Sequence, residues 1–195
     1  MKKYELLVDD TITFFGVQLF RIKALISFSG IEKGEVGGYI ASEKNLSQSG
    51  DAWVYGDAWV YGDAEVYGNA EVSGDARVSG DAEVYGNARV SGNAWVYGNA
   101  RVSGDARVSG DAEVYGNAEV YGNADYIVFK NTWSSGRYFT YTKSNKKWRV
   151  GCFYGNGHEL IEKAYKDSQK SGDFYKAYVE FVEKLEEIEK IHKEQ

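Results

Sequence analysis

Twelve consecutive hexapeptides fill residues 50–121 without an insertion, each reading Gly-Asp/Asn-Ala-x-Val-Tyr/Ser. A short period kept this strictly indicates one structural unit that stacks on copies of itself. Within each unit, Ala-x-Val-Tyr/Ser is strand-like, and alternation places Ala and Val on one face and x with Tyr/Ser on the other. Gly and Asp/Asn suit the break between strands. We therefore expect Ala and Val to point inward and the chain to turn a corner every six residues.

Three such strands close a triangular coil of 18 residues, and the next coil lies in register about 4.8 Å above it. The twelve hexapeptides predict a mainly β protein with a parallel β-helix of about four coils. Residues 18 apart then form columns on the outside. One face is predicted to carry the columns Trp59, Arg77, Trp95, Glu113 and Tyr61, Ser79, Tyr97, Tyr115.

An arginine between two tryptophans on that face suits cation–π stacking, which favours a surface for a partner. The alternative interpretation is that exposed aromatic and arginine ladders only stabilise neighbouring coils. Stacked corner aspartates supply one carboxylate per coil and no convergent second ligand, so we expect no metal site and no cofactor.

The flanks of the repeats differ in pattern. Residues 1–49 lack the motif, and we expect an N-terminal β cap because the open end of a β-helix needs cover. Residues 50–125 form the β-helix. Residues 126–195 predict an α+β module with a three-run antiparallel meander, a helix from Glu159 to Lys170, a break at Ser171-Gly172 and a longer amphipathic helix.

Apolar residues of the last helix follow heptad spacing, with intervals of 4, 3, 4 and 3. The members of this seam are Phe174, Tyr178, Phe181, Leu185 and Ile188. The seam either packs on the meander or joins copies of the chain into a homo-oligomer, as a dimer or trimer.

Charge and cysteine content limit the partners and the compartment. Residues 50–125 hold four Arg against eight Asp and five Glu, within a net charge of −6 for the chain. That acidic column disfavours binding to DNA or RNA. Cys152 is the single cysteine and lies in an alternating apolar run, which predicts a buried inert thiol and a reducing compartment. Without an apolar run of membrane-spanning length or a signal peptide, we expect a cytoplasmic protein and no membrane partner.

Basic and aromatic residues gather around one predicted hairpin of the meander. They include Arg137, Lys146, Lys147, Trp148 and Arg149. Such a cluster could hold a small nucleotide or a phosphate. A solvated hairpin tip is the other interpretation.

The phase Val-x-Gly-Asp/Asn-Ala-x resembles the hexapeptide-repeat superfamily, whose members form left-handed β-helices. The runs 19–25, 33–40 and 45–48, followed by Gly-Asp-Ala-Trp-Val-Tyr, look closer to the YdcK-like proteins of bacteria, phages and prophages. The resemblance implies a left-handed coil. It implies no particular activity, because the same coil occurs in acyltransferases, γ-class carbonic anhydrases and proteins with no known chemistry.

The enzymes of that superfamily depend on histidines beside the coil, as a general base or as zinc ligands. Here His158 and His192 both lie outside the repeats. We therefore expect a non-catalytic interaction protein. The resemblance to YdcK-like proteins implies a phage or prophage product that binds a host protein, and that in one form inhibits antiviral defence by sequestering a protein or a nucleotide signal. The alternatives are an acyltransferase or nucleotide-handling enzyme with an intersubunit site, and a structural virion or scaffold component.

The predicted partner-binding residues share aromatic or cationic side chains on the coil faces or the basic hairpin. They are Trp53, Trp59, Arg77, Trp95, Tyr61, Tyr97, Tyr115, Arg137, Lys146, Lys147, Trp148 and Arg149.

Overall fold

The computed structural model describes residues 2–193. The chain begins with an antiparallel hairpin of β1 (Tyr4–Phe14) and β2 (Val17–Ala24), and β2 pairs in turn with β3 (Val36–Ile40). A short 3-10 helix follows at Glu43–Asn45. We call the hairpin and the segment up to residue 35 the cap, whereas β3 and the 3-10 helix belong to the first turn of the solenoid.

Each hexapeptide then contributes one short strand that begins at position x. The strands are β4 (Trp53–Val54), β5 (Trp59–Val60), β6 (Glu65–Val66), β7 (Glu71–Val72), β8 (Arg77–Val78), β9 (Glu83–Val84), β10 (Arg89–Val90), β11 (Trp95–Gly98), β12 (Arg101–Val102), β13 (Arg107–Val108), β14 (Glu113–Gly116) and β15 (Glu119–Val120).

The strands stack as three parallel ladders, one for each side of the coil. Their orders are β3-β5-β8-β11-β14, β4-β7-β10-β13 and β6-β9-β12-β15. Partners are 18 residues apart, as in Arg77 with Trp95 and Val78 with Val96. Every repeat Ala and Val is fully buried, which confirms the predicted inward face. The mainly β solenoid class is confirmed, whereas left-handed winding stays a prediction.

The solenoid has about five turns because the first turn starts before the hexapeptides. Tyr39 pairs in parallel with Trp59, and Leu46 bridges to Val66. Gly38 occupies the position of a repeat alanine, where an added Cβ would lie 2.7 Å from a methyl of Val54. The predicted number of coils, about four, was therefore about one too low, because residues that lack the hexapeptide motif fold into a further turn.

Two buried polar side chains pair with backbone carbonyls of the first hexapeptide coil. The ammonium of Lys3 donates to the carbonyl of Ala52 at 2.9 Å and to that of Gly50 at 3.3 Å. The amide nitrogen of Asn45 donates to the carbonyls of Gly62 and Ala64 at 3.0 and 2.8 Å. These four backbone carbonyls would otherwise have no hydrogen-bond donor at this end of the coils.

The burial of Lys3 predicts a pH dependence of stability. Burial lowers the pKa of its ammonium from 10.5 to about 8, and the carboxylate of Asp51 opposes the shift. Between these values the unfolded chain holds more protons than the folded chain, so the free energy of unfolding rises with pH. We expect a rise of up to about 2 kcal/mol between about pH 7.5 and about pH 9.5, measured by urea unfolding.

The variant Lys3→Met should lose this component of the pH dependence. The control is Lys2→Met, because Lys2 is an exposed neighbour whose ammonium contacts Glu43 at 2.6 Å. A pH profile that is the same in Lys3→Met and in the natural chain would contradict the assignment to Lys3.

The C-terminal module consists of a four-stranded antiparallel meander and two helices. Its elements are β16 (Tyr126–Lys130), β17 (Tyr138–Thr142), β18 (Lys147–Val150), β19 (Phe153–Gly155), α1 (Gly157–Asp167) and α2 (Gln169–Lys193). The third predicted run is split in two because Gly151, with φ of +56°, forms a turn. Cys152 lies in that turn and is exposed, so the expectation of a buried thiol was wrong.

The break between the helices also lies elsewhere than predicted. Ser168 is extended, with φ of −170°, and its hydroxyl accepts the backbone N–H of Ser171 at 3.1 Å. Gly172 is helical, and an added Cβ there would lie 2.1 Å from the ring of Tyr165. This glycine permits close contact between α1 and α2 and does not end a helix.

The module also covers the last turn of the solenoid. The hydroxyl of Thr140 accepts the backbone N–H of Glu113 at 3.0 Å, and the hydroxyl of Ser144 accepts that of Glu119 at 2.7 Å. Hydroxyls from the meander therefore replace the missing next coil.

Candidate functional site

The four repeat arginines of the solenoid differ in their pairing, because Arg89 and Arg101 form salt bridges whereas Arg77 and Arg107 form none within the part of the chain that the structure describes. On the β4-β7-β10-β13 side, Arg89 forms a salt bridge with Glu71 at 3.1 Å. On the β6-β9-β12-β15 side, Arg101 pairs with Glu83 at 3.2 Å. Arg77, on the third side, forms no salt bridge with any residue from 2 to 193. Its surroundings are aromatic.

We call this third side the aromatic face. Its members are solvent-facing aromatic rings with the charged residues that lie among them: Phe14, Trp59, Tyr61, Arg77, Trp95, Tyr97, Glu113, Tyr115, Arg149 and Tyr154.

The centre of the aromatic face is the guanidinium of Arg77. Its carbon lies 4.4 Å from the ring centroid of Trp59, 5.9 Å from that of Trp95 and 5.3 Å from that of Phe14. Such distances suit cation–π attraction, which fixes the side chain without using its N–H donors. The planar fork of an arginine has the geometry that matches a carboxylate.

The C-terminal module extends the aromatic face at one end. The guanidinium of Arg149 lies 5.5 and 5.2 Å from the rings of Tyr97 and Tyr115 and contacts Glu113 at 3.0 Å. Tyr154 meets Tyr115 edge to face at 4.6 Å. Burial and the neighbouring carboxylate of Glu113 raise the pKa of Tyr97 well above its usual range, and the Tyr97 hydroxyl donates to that carboxylate at 3.2 Å.

The N-terminal hairpin extends the aromatic face at the other end. Phe14 meets Trp59 at 5.0 Å and Tyr61 at 5.8 Å. The next residue, Phe15, is 94% exposed and has the left-handed φ of +46°. Phe15 and Gly16, both at positive φ, form the two-residue turn of this hairpin, which directs the ring of Phe15 into solvent beside Phe14. Sequence reasoning missed Phe14, Phe15 and Tyr154.

Two predicted binding residues are buried, which corrects the expectation for both. Trp53 is fully buried because the cap covers it, with Tyr4 and Phe28 edge to face against its ring at 6.2 and 5.5 Å. Trp148 is 2% exposed and packs with Tyr141 in the core of the module. Neither ring is available to a partner.

The predicted basic hairpin does not form one patch. Lys146 pairs with Glu186 at 3.4 Å, and Lys147 lies 3.9 Å from Glu159. Arg137 lies at a separate cleft of about 250 Å³ in the module, beside the turn that holds Cys152. Arg149 alone joins the aromatic face.

The two histidines, which are the side chains best suited to acid–base catalysis, are both exposed. Both His158 and His192 are exposed residues of the two helices, and His158 lies 3.8 Å from Glu162. Among residues 2–193 no three His, Cys, Asp or Glu side chains come together as a metal-binding group. In the same part of the chain, neither helix combines the length and the apolarity needed to cross a bilayer.

The fold and the aromatic face define the protein as a capped β-solenoid with one aromatic side. Residues 82–98, 94–110 and 100–114 match the family model described as YdcK Beta solenoid repeat. The coils between residues 82 and 114 are thus similar to YdcK beta-solenoid repeats, which agrees with the resemblance predicted from the sequence for this stretch. No curated protein matches the chain.

Proposed function

We propose that this chain is a non-catalytic binding protein whose aromatic face holds a protein partner. The single observation that supports this function is the ladder of half-exposed tryptophan and tyrosine rings around the unpaired guanidinium of Arg77. Tryptophan, tyrosine and arginine are the residues that most often dominate the energy of protein interfaces.

Rigidity supports the same proposal. The tryptophan and tyrosine rings that the repeats contribute to the aromatic face stand on coils whose inner Ala and Val are fully buried, so this part of the face is ordered before a partner arrives. A preformed surface loses less entropy on association. Because Ala and Val fill the lumen, a partner of the coil would contact its outer side chains.

The partner that we propose is a host protein, bound by a phage or prophage product that acts against antiviral defence. The binding part of this proposal rests on the aromatic face. The phage and defence part rests on the YdcK-like resemblance alone. The partner's contact surface should carry an Asp or Glu for Arg77 and a pocket for Phe15.

We expect Trp59→Ala with Trp95→Ala to weaken the complex at least about a hundredfold in Kd, because hot-spot truncations cost about 2 kcal/mol or more each. The measurement is affinity capture from host lysate with quantitative mass spectrometry, followed by titration of the captured protein.

The matched control is Tyr67→Ala with Tyr85→Ala, which removes two stacked rings from a different side of the same solenoid. Circular dichroism checks that both variants keep the fold. The proposal fails if the control variant loses the partner and the tryptophan variant keeps it.

A further inference from the structure

Helix α2 uses one face to join the core of its own module. Tyr175, Val179 and Val182 are buried there with Leu160 of α1 and Phe139 of the meander. Beyond Val182 no described residue of α2 is buried, although the helix continues to Lys193.

A second face of α2 is apolar and exposed. Phe174 is 39%, Phe181 51%, Ile188 42% and Ile191 50% exposed. One side of the Phe174 ring stacks on Trp133 at 4.6 Å, and Phe181 meets Phe129 edge to face at 6.4 Å, so these two rings also contact their own module. With Ala177 and Lys184 the four exposed residues form what we call the outer stripe, at intervals of 3, 4, 3, 4 and 3 residues. The heptad seam predicted from the sequence does not coincide with the outer stripe. Its members Tyr178 and Leu185 are half-buried toward the module, whereas its other three members belong to the outer stripe.

We propose that the outer stripe is the contact surface for a second copy of this chain, with the two α2 helices antiparallel. Alternating intervals of 3 and 4 residues keep a stripe facing a partner helix along its whole length. The outer stripe covers residues 174–191, about 26 Å of helix at 1.5 Å per residue. Four large apolar side chains in one line are more than a solvated helix face needs.

The charge of Lys184 selects the antiparallel orientation. In a parallel pair each Lys184 would face its own copy, so two like charges would meet in the middle of the contact. In an antiparallel pair centred between Val182 and Glu183, Lys184 faces Phe181 of the partner subunit, which suits cation–π contact. Ala177 then faces the partner's Ile188, and Phe174 faces the partner's Ile191, so large residues meet small or apolar ones.

The first test is the mass of the full chain by light scattering across a dilution series. The natural chain should weigh twice 21.8 kDa at high concentration. Ile188→Glu should raise the dimer Kd at least about tenfold. The control Lys190→Gln makes the same change in net charge at an exposed position off the outer stripe and should leave the Kd unchanged.

The second test is disulfide trapping in a Cys152→Ser background. Ala177→Cys with Ile188→Cys should give a covalent dimer, because the antiparallel pair brings these two positions together. Ile188→Cys alone should give none, because the two copies of residue 188 would be about 16 Å apart along the helices.

Three outcomes would overturn the proposal: a monomer at every concentration, an unchanged Kd in Ile188→Glu, or trapping by Ile188→Cys alone. The variant Trp59→Ala with Trp95→Ala should keep the dimer mass. Failure of dimerisation is therefore distinguishable from failure of the proposed partner binding.

Discussion

Trp53→Ala is expected to lower the free energy of unfolding by about 3 to 5 kcal/mol, the usual cost of truncating a buried tryptophan. The ring is fully buried, touches Tyr4 and Phe28, and lies so close to β3 that a Cβ on Gly37 would be 2.8 Å from it. Its loss leaves a cavity where the cap meets the first turn. Denaturant unfolding followed by circular dichroism measures the change.

The control is Trp95→Ala, which removes the same side chain from the half-exposed aromatic face. We expect a loss of about 1 kcal/mol there, since little new cavity forms. For the affinity of the proposed partner we expect the opposite order, so that Trp95→Ala should raise the Kd more than Trp53→Ala. Equal losses of stability in the two variants would contradict the division of the tryptophans into one structural and one binding residue.

Gly80→Ala is expected to lower the free energy of unfolding by about 3 kcal/mol or more, against about 1 kcal/mol for Gly110→Ala. Both glycines occupy corners with left-handed φ, +71° and +66°. A Cβ on Gly80 would lie 2.9 Å from the backbone nitrogen of Gly98 in the next coil, whereas a Cβ on Gly110 would meet nothing within 4 Å.

Both variants place an alanine at a left-handed φ, so the backbone strain is the same in both. The difference between their free energies of unfolding therefore measures the cost of a Cβ between two stacked corners. Thermal and denaturant unfolding of both variants give that difference. If both substitutions cost the same, corner packing does not limit the residue at this position and φ alone explains the repeated glycine.

The regular part of the fold was predictable because its information is local and repeated. A period of six assigns each Ala and Val to the lumen, and a period of 18 places Trp59, Arg77 and Trp95 in one column. The first turn was not predictable in this way. Ile40 and Leu46 take lumen positions without the motif, since the coils above supply their hydrogen-bonding partners.

Long-range packing explains the remaining differences. Trp53 has the same motif position as Trp59, yet the cap covers only the first of them. Arg149 and Trp148 are neighbours in the sequence, but strand alternation sends one to the aromatic face and the other into the core of the module. The distant contacts of Arg149 with Tyr97 and Tyr115 depend on how the module docks on the last turn, which no local pattern encodes.

The docking of the meander on β14 ties the length of the solenoid to the position of its far end. Loss or gain of a single hexapeptide would rotate the C-terminal module by one third of a turn about the solenoid axis. Arg149 would then no longer lie on the side that bears Trp59. Only changes of three hexapeptides restore the alignment. Growth and shrinkage of such a rod are therefore quantised in steps of 18 residues.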